Sequence, residues 1–529
     1  MCFGGKINSM SFSKIHSAQN LILEPHIIDI ETDISRGLFA FSIVGLGDKA
    51  VDEARDRVVA AIKNSGFASP KSDNHKIIVS LAPADMRKEG ASFDVGVALG
   101  YLLSKELIDF DPKDKMFLGE LALDGSVRPI NGVLPLVDFA KKKGFKEIFV
   151  PIENIDEAEI VPGIKIFGVK NLRELAGHLD EELRREIGGV EIKPARHMPY
   201  VPAIEDFSPN FDDIEGQTTA KRGLEIACAG GHHIAFYGPP GTGKTMLAKA
   251  CISVLPALSF EDAIEATSIH SIAGTLNGNY LSAPPFRAPH HTSSYAALVG
   301  GGGSIPRPGE MTLAHKGVLF LDEFPEFDRR VVESLREPLE EKALAISRAK
   351  GSARFPADFT LIAAMNPCPC GMRNVKGKRC ICTAAQLSKY EKKLSGPIVD
   401  RIDMWIEVLP VRHEGLLKKR IGQFETKAMR ERIIQARRQQ RKRFEKHSRK
   451  ITKNSEMNAR DVKDILEKGS ESEKALMESA RVHNFSPRTF HRVVKLARTI
   501  ADLDGCEKIA PEHIYEAVQY RPKNTFFSS

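Results

Sequence analysis

Tryptophan is almost missing from this chain, which has one in 529 residues, together with eight tyrosines and eight cysteines. Cysteines this sparse cannot staple a disulfide scaffold, and that excludes the small cross-linked domains of secreted proteins. No apolar run approaches the roughly 18–20 residues that cross a bilayer, so no membrane partner is expected. The opening MCFGGKINSMSFSKIHSAQN has neither an apolar core nor a small-residue cleavage site, and the expected location is the cytoplasm. No internal repeat or low-complexity tract interrupts the chain.

What is present is an ordinary globular composition, 42% hydrophobic and 27% charged. The length predicts about three domains at roughly 100–200 residues each. Short β-rich runs alternate with helical patterns in the first part: IIVSLAP (77–83), VGVALGYLL (95–103), MFLGELAL (116–123), a helix ending at Lys143 and EIFVP (147–151). This predicts an α/β domain over 1–187. A proline-containing stretch without periodicity predicts a linker over 188–210, a second α/β domain follows over 211–410, and helical patterns alone fill 411–529. The formal charge of +7 is local. Residues 411–450 carry 15 Lys+Arg against 4 Asp+Glu, a net of +11, so the remainder sums to −4. Such a stretch is the footprint of a polyanion partner or a solvated helix face.

The segment GPPGTGKT (Gly238, Pro239, Pro240, Gly241, Thr242, Gly243, Lys244, Thr245) follows the apolar run HIAFY and precedes the helical pattern MLAKACISVL. Strand, glycine-rich loop and helix in that order make a P-loop: backbone N–H groups face the phosphates, Lys244 reaches the β/γ-phosphates and Thr245 gives its hydroxyl to Mg²⁺. Downstream, GVLFLDE ends an apolar strand with Asp322, expected to hold Mg²⁺, and Glu323, expected to polarise the attacking water. The bland alternative for the two acids is a helix cap. FTLIAAMNP is a further apolar strand with Asn366 at its tip, suited to orienting that water.

P-loop, acidic strand and polar tip in this order resemble the AAA+ ATPases. That resemblance casts Asn366 as the sensor, Arg401 in LSGPIVDRID as an arginine finger acting on a neighbouring subunit, and Arg488 in FSPRTFHRVVKLARTIADL as the lid's second sensor. A finger acting in trans implies a ring. The stretches PPFRAPHHTSSYAALVGGGGSIPRPGEMTLAHKGVLFLDEFPEF, AAMNPCPCG and GLFAFSIVGLGDKAVDEARDRVVAAIKNSGF extend the resemblance over nearly the whole chain, to the magnesium-chelatase-like AAA+ proteins of the ComM/YifB type. It implies a Lon-protease-like N-terminal α/β domain, a P-loop AAA+ core and an all-helical C-terminal lid. It also implies ATP and Mg²⁺ as cofactors, a homo-hexameric ring, recombination proteins as possible partners, and ATP-driven helicase action on single-stranded or branched DNA, promoting branch migration during homologous recombination or natural transformation.

KEGAS (88–92) resembles the loop bearing the serine of Lon-type peptidases. Where that pattern has its lysine, in NGVLPLVDFA, this chain has Leu134, so Ser92 lacks a base and is expected to be inert. Cys368, Cys370, Cys380 and Cys382 form C-x-C-x9-C-x-C, a spacing expected to gather four thiolates around one structural Zn²⁺. Arg373, Lys376, Lys378 and Arg379 lie between the pairs. Gly300 to Gly303 and the group Arg348, Lys350 and Arg354 are candidate pore loops touching DNA, and Arg437, Arg438, Arg441, Lys442 and Arg443 candidate phosphate contacts. His290 and His291, being adjacent, point to different sides of any regular element and are assigned no metal. The rival function is the ATP-dependent remodelling subunit of a magnesium-chelatase-type metal-insertion enzyme.

Overall fold

The computed structural model describes residues 11–522 except 46–49, 87, 89–90, 203–206, 302–305, 349–350, 374, 376, 412–423, 448 and 450. The chain packs as two compact units. The first comprises residues 1–201 and 264–280, and the second 202–263 and 281–529. Residues 264–280, which lie inside the stretch 211–410 in sequence, thus belong to the first unit.

In the first unit, β1 (Ser11–Leu21) and β2 (Glu24–Arg36) form a long antiparallel hairpin. β3 (Ala40–Val44), α1 (Ala50–Asn64) and β4 (His75–Ala82) complete a four-stranded sheet of order β1-β2-β4-β3, with β3 parallel to β4. The hairpin has no signature in the sequence because its two-residue turn is made by Ile22 and Leu23, with Ile22 at φ +64 where glycine or asparagine is usual. α2 (Asp94–Ser104) lies close on the sheet. A Cβ at Gly96 would stand 2.4 Å from Ile30, and one at Gly100 would stand 2.6 Å from Thr32. β5 (Lys115–Phe117), α3 (Val133–Lys142), β6 (Glu147–Pro151) and β7 (Lys165–Val169) build a parallel three-stranded sheet. Each strand contributes one ring to a stack, Phe117 on Phe149 on Phe167, with centroids 4.8 Å apart at both steps.

The second unit is built around a parallel five-stranded sheet. Its elements are α4 (Thr218–Gly230), β8 (Ile234–Tyr237), α5 (Lys244–Ala250), β9 (Phe286–Arg287), β10 (Val318–Leu321), β11 (Thr360–Met365), α6 (Ala384–Glu391) and β12 (Met404–Glu407). The strand order is β9-β10-β11-β8-β12. Every residue of β8, β10 and β11 is buried, as a sheet covered on both faces requires. After β12 the described elements are all helical, chiefly α7 (Glu425–Phe444), α8 (Glu471–Val482), α9 (Pro487–Leu503) and α10 (Pro511–Gln519). Thr426, Met429, Ile433, Ala436, Gln440 and Phe444 make the buried stripe of α7, spaced three and four apart. No helix among the described residues is long and apolar enough to cross a membrane.

In the first unit Asp94 is buried, and burial pushes its carboxyl up to about 6 against the pull of Arg57 at 2.9 Å and the Leu121 N–H. The folded chain therefore keeps a proton that the unfolded chain releases from about 4 upward. This contribution to stability is full below that value, declines as pH rises to about 6 and is flat above it. Asn at this position does not titrate. Relative to the native protein, the Asp94→Asn variant should gain about 3 kcal/mol between pH 4 and pH 6, at about 1.4 kcal/mol per unit. Denaturant unfolding of both proteins across that range measures it, and a constant difference would mean that Arg57 keeps the carboxylate ionised.

Candidate nucleotide site

Register fixes the site. Tyr237 at the end of β8 pairs with Met365 at the end of β11, so Gly238 and Asn366 leave the sheet side by side. Leu321 of β10 pairs with Ala363, and Asp322 and Glu323 emerge next to them. Gly241 and Gly243 adopt φ +77 and +88, which their loop needs for its backbone alone, since open space surrounds both. Gly238 answers a different demand: a Cβ there would lie 2.2 Å from the Val408 carbonyl oxygen.

Lys244 is buried, and its ammonium donates to the carbonyl oxygens of Gly238 (2.7 Å) and Pro239 (2.8 Å) and to Asn366 Oδ1 (3.3 Å). Burial lowers its pKa while Asp322 holds it up. Thr245 Oγ1 donates to Asp322 Oδ2 at 2.7 Å. Adjacent ligands of an octahedral Mg²⁺ at about 2.1 Å stand about 3 Å apart, so this hydroxyl–carboxylate pair suits the ion. Asp322 Oδ1 accepts from the Glu323 N–H at 2.9 Å. Glu323 itself is held at φ +52, a left-handed conformation costing a non-glycine residue roughly 1–2 kcal/mol. Its half-exposed carboxylate lies 3.0 Å from Nδ1 of His291. A P-loop lysine, two strand-end acids and a polar tip thus converge, and they can bind a polyphosphate, hold a divalent ion and polarise a water.

Sequence reasoning missed two residues here. His291 was considered only as a metal ligand, yet it touches the carboxylate expected to activate water. Gln217, at φ +53, donates through Nε2 to the carbonyl oxygens of Leu409 (2.7 Å) and Thr242 in the P-loop (3.2 Å). Nothing local marks Gln217, because its partners lie 25 and 192 residues away.

Arg401 and Arg488 meet at one carboxylate. Glu340 takes Arg401 at 2.8 Å and Arg488 at 3.2 Å. Arg401 is buried, also donates to the Pro397 carbonyl at 2.8 Å, and its Nε has no partner, whereas Arg488 is 60% exposed beside the Ser486 cap of α9. Among the described residues, no hydrogen bond or ion pair joins either arginine to the P-loop of its own chain.

The four cysteines converge. Cys368 Sγ lies 3.4 Å from Cys370 and 3.7 Å from Cys380, Cys370 lies 3.6 Å from Cys380, and all four sulfurs including Cys382 fall within 4.8 Å of one another. Four sulfurs at about 2.3 Å from one Zn²⁺ would be about 3.8 Å apart, so the donors fit a tetrahedral ion. Hydrogen bonds from the Met372 and Ile381 backbone bring the Cys370 thiol down to about 6, and burial pushes Cys382 up to about 12.

The basic helix α7 corrects an expectation. Arg437 donates to the Cys228 carbonyl (3.1 and 2.6 Å), and Arg443 pairs with Asp502 and Asn454. Arg430 and Arg432 likewise turn inward, to the Ser253 carbonyl (2.7 Å) and Glu225 (2.6 Å). These arginines flank the buried stripe and satisfy carbonyls after α5 and near the end of α4 and carboxylates of α4 and α9, so Arg437 and Arg443 are engaged with protein groups rather than presented to solvent. Arg438, Arg441 and Lys442 are exposed. Arg354 is exposed on the hairpin Ala343–Arg348 and Gly351–Pro356, whereas Lys350, Gly302, Gly303, Lys376 and 412–423 lie outside the described residues. In the first unit Leu134 is fully buried, and among the described residues no hydrogen bond joins Ser92 to a lysine.

Three family models match the chain: "Magnesium chelatase, subunit ChlI" over residues 210–416, "Subunit ChlI of Mg-chelatase" over 30–154, and "Magnesium chelatase, subunit ChlI C-terminal" over 423–521. The chain is 38% identical to competence protein ComM of Haemophilus influenzae, covering 97% of this chain and 98% of ComM. It is also 38% identical to the uncharacterized protein YifB of Escherichia coli, covering 97% of each. Lon protease 2 of Bacillus subtilis is 26% identical over 40% of this chain and 43% of its own length. With an α/β first unit and a parallel P-loop sheet followed by helices, the chain belongs to the magnesium-chelatase-like AAA+ proteins of the ComM/YifB type.

Proposed function

We propose that this protein is an ATP-driven DNA motor that assembles as a homo-hexameric ring and promotes branch migration during recombination or natural transformation. The observation that carries the reading is the convergence of Lys244, Thr245, Asp322, Glu323 and Asn366 at one edge of the sheet, with Arg401 and Arg488 gathered elsewhere on Glu340. In this reading the P-loop and Lys244 bind the phosphates, Thr245 and Asp322 hold Mg²⁺, and Glu323 activates the water that Asn366 orients. Arg401 exchanges Glu340 for the nucleotide of a neighbouring copy, and Arg488 serves as the lid's second sensor. The competence name of the Haemophilus influenzae relative supports DNA as the partner. The second reading, a remodelling ATPase for metal insertion, draws support from the chelatase-subunit descriptions of the matching family models. Cys368, Cys370, Cys380 and Cys382 would hold a structural Zn²⁺ that cross-links the segment after β11.

Three variants separate the roles in ATP hydrolysis. Lys244→Ala should lose nucleotide binding, and Glu323→Gln should keep binding but turn over about 10²–10⁴-fold more slowly, the range for a lost general base. Arg401→Ala should bind ATP yet hydrolyse poorly, and mixing it with Lys244→Ala chains should restore part of the activity. Equal loss of binding in the first two, or no rescue at any ratio, would overturn these assignments.

Purified without chelators, the protein should carry about one Zn²⁺ per chain, lost on serine substitution of any of the four cysteines. Elemental analysis that finds no zinc sinks the idea.

DNA affinity decides between the two functional readings. It should fall with salt at about −0.9 in log–log slope per phosphate neutralised. Arg438→Glu with Lys442→Glu, one turn apart on the exposed face of α7, should flatten that slope and weaken all sequences alike while sparing ATPase without DNA. If the native protein neither binds DNA at about 50 mM salt nor moves the branch point of a labelled four-way junction with ATP, the motor reading fails and remodelling replaces it.

A further inference from the structure

The second unit holds a polar cavity at the end of the sheet opposite the P-loop. The P-loop, Asp322 and Asn366 follow the C-terminal ends of β8, β10 and β11, whereas Gly317 and Thr360, at the N-terminal ends of β10 and β11, line this cavity. β11 alone spans six residues, about 20 Å at 3.3 Å each, so the two places are distinct. The far wall is α7 and the segment that follows it, contributing Arg437, Arg441 and Lys453.

Charge is not balanced there. Four cations line the space, Lys316, Arg437, Arg441 and Lys453, against two carboxylates, Asp262 and Asp358, a net of +2. Nearby, Lys342 and Glu456 pair with each other and cancel. Lys316 pairs with Asp262 at 3.1 Å and Asp358 at 3.7 Å, and Asp358 also takes Lys342 at 3.1 Å. The carboxylates are thus already engaged, while Arg441 and Lys453 form no ion pair among the described residues. Arg437 spends Nε and Nη2 on the Cys228 carbonyl. Burial lowers the pKa of Lys453 and Arg437, and the pull of Asp358 and Glu456 on Lys453 only partly offsets it. Uncompensated charge in a partly enclosed space is costly unless a counter-charge fills it. The cavity measures about 60 Å³. Since about 10–15 Å³ of such space holds one water, it takes the four oxygens of one tetrahedral oxyanion.

We propose that this cavity is a phosphate site in which Lys316, Arg437, Arg441 and Lys453 hold a single phosphate group, either free phosphate or one phosphate of a nucleic-acid backbone. Guanidinium forks and ammonium groups match its oxygens; free hydrogen phosphate, a dianion, cancels the net +2, and a backbone phosphodiester, a monoanion, halves it. A filled site ties the N-terminal ends of β10 and β11 to α7 across the seam between sheet and lid.

The test uses the full chain carrying Lys244→Ala, so that the P-loop gives no phosphate response. Inorganic phosphate titrated by calorimetry at constant ionic strength should bind saturably at one per chain, with sulfate competing and chloride not. Adding Arg441→Glu, an exposed position that tolerates replacement, should weaken binding by at least about tenfold, the effect of one charge-assisted contact. Lys453→Met should do the same. Both substitutions, placed in the chain with Lys244 intact, should leave ADP affinity unchanged, which reports correct folding and separates this site from the nucleotide site. A 20-nucleotide single strand distinguishes the sources: competition with phosphate, lost in Arg441→Glu, marks a backbone phosphate, and independent binding marks free phosphate. No phosphate binding by the Lys244→Ala protein, or binding unchanged by both cavity substitutions, overturns the proposal.

Discussion

The structure depends on the common ending of three parallel strands. β8, β10 and β11 are paired so that Tyr237, Leu321 and Met365 finish near one edge, the first followed by the P-loop and the other two by Asp322 and Asn366. Because every residue of the three strands is buried, the register cannot slip without driving polar residues into the core. The hydrogen bond from Thr245 to Asp322 and the reach of Lys244 to Asn366 follow from that register, although these residues lie 77 and 122 positions apart.

Around this edge the chain places groups that act on the site indirectly. His291 holds the Glu323 carboxylate, and Glu323 is fixed in a left-handed backbone by the turn after β10. Gln217 ties the P-loop backbone to the residues after β12. Glu340 gathers Arg401, the proposed finger, and Arg488, the proposed second sensor. Lysine, carboxylate and arginine are each engaged with protein groups in this structure.

The lid shows how a basic stretch divides its labour. α7 is rich in arginine, yet three of its arginines reach inward to α4 and the residues after α5, and a fourth, Arg443, pairs with Asp502 of α9. Only part of the +11 counted over 411–450 therefore faces solvent. Arg430, Arg432 and Arg437 fasten α7 to the P-loop half of the unit, whereas Arg438, Arg441 and Lys442 face solvent.

The sequence by itself determined the P-loop, the acidic strand end, the polar strand tip and the spacing of four cysteines, because each is a local pattern whose chemistry is set by residues a few positions apart. β6 was legible as EIFVP and α2 as VGVALGYLL for the same reason, being short apolar runs between breakers. The β1–β2 hairpin was not, since an Ile-Leu turn carries no turn signal and is held by its ladder and by α2 closing over it. His291 against Glu323, the meeting of Arg401 and Arg488 on Glu340, and the inward turn of Arg437 and Arg443 were decided only by the tertiary structure. Each joins residues tens to hundreds of positions apart, and whether a cation faces water or a carboxylate depends on which side of its helix the packing buries.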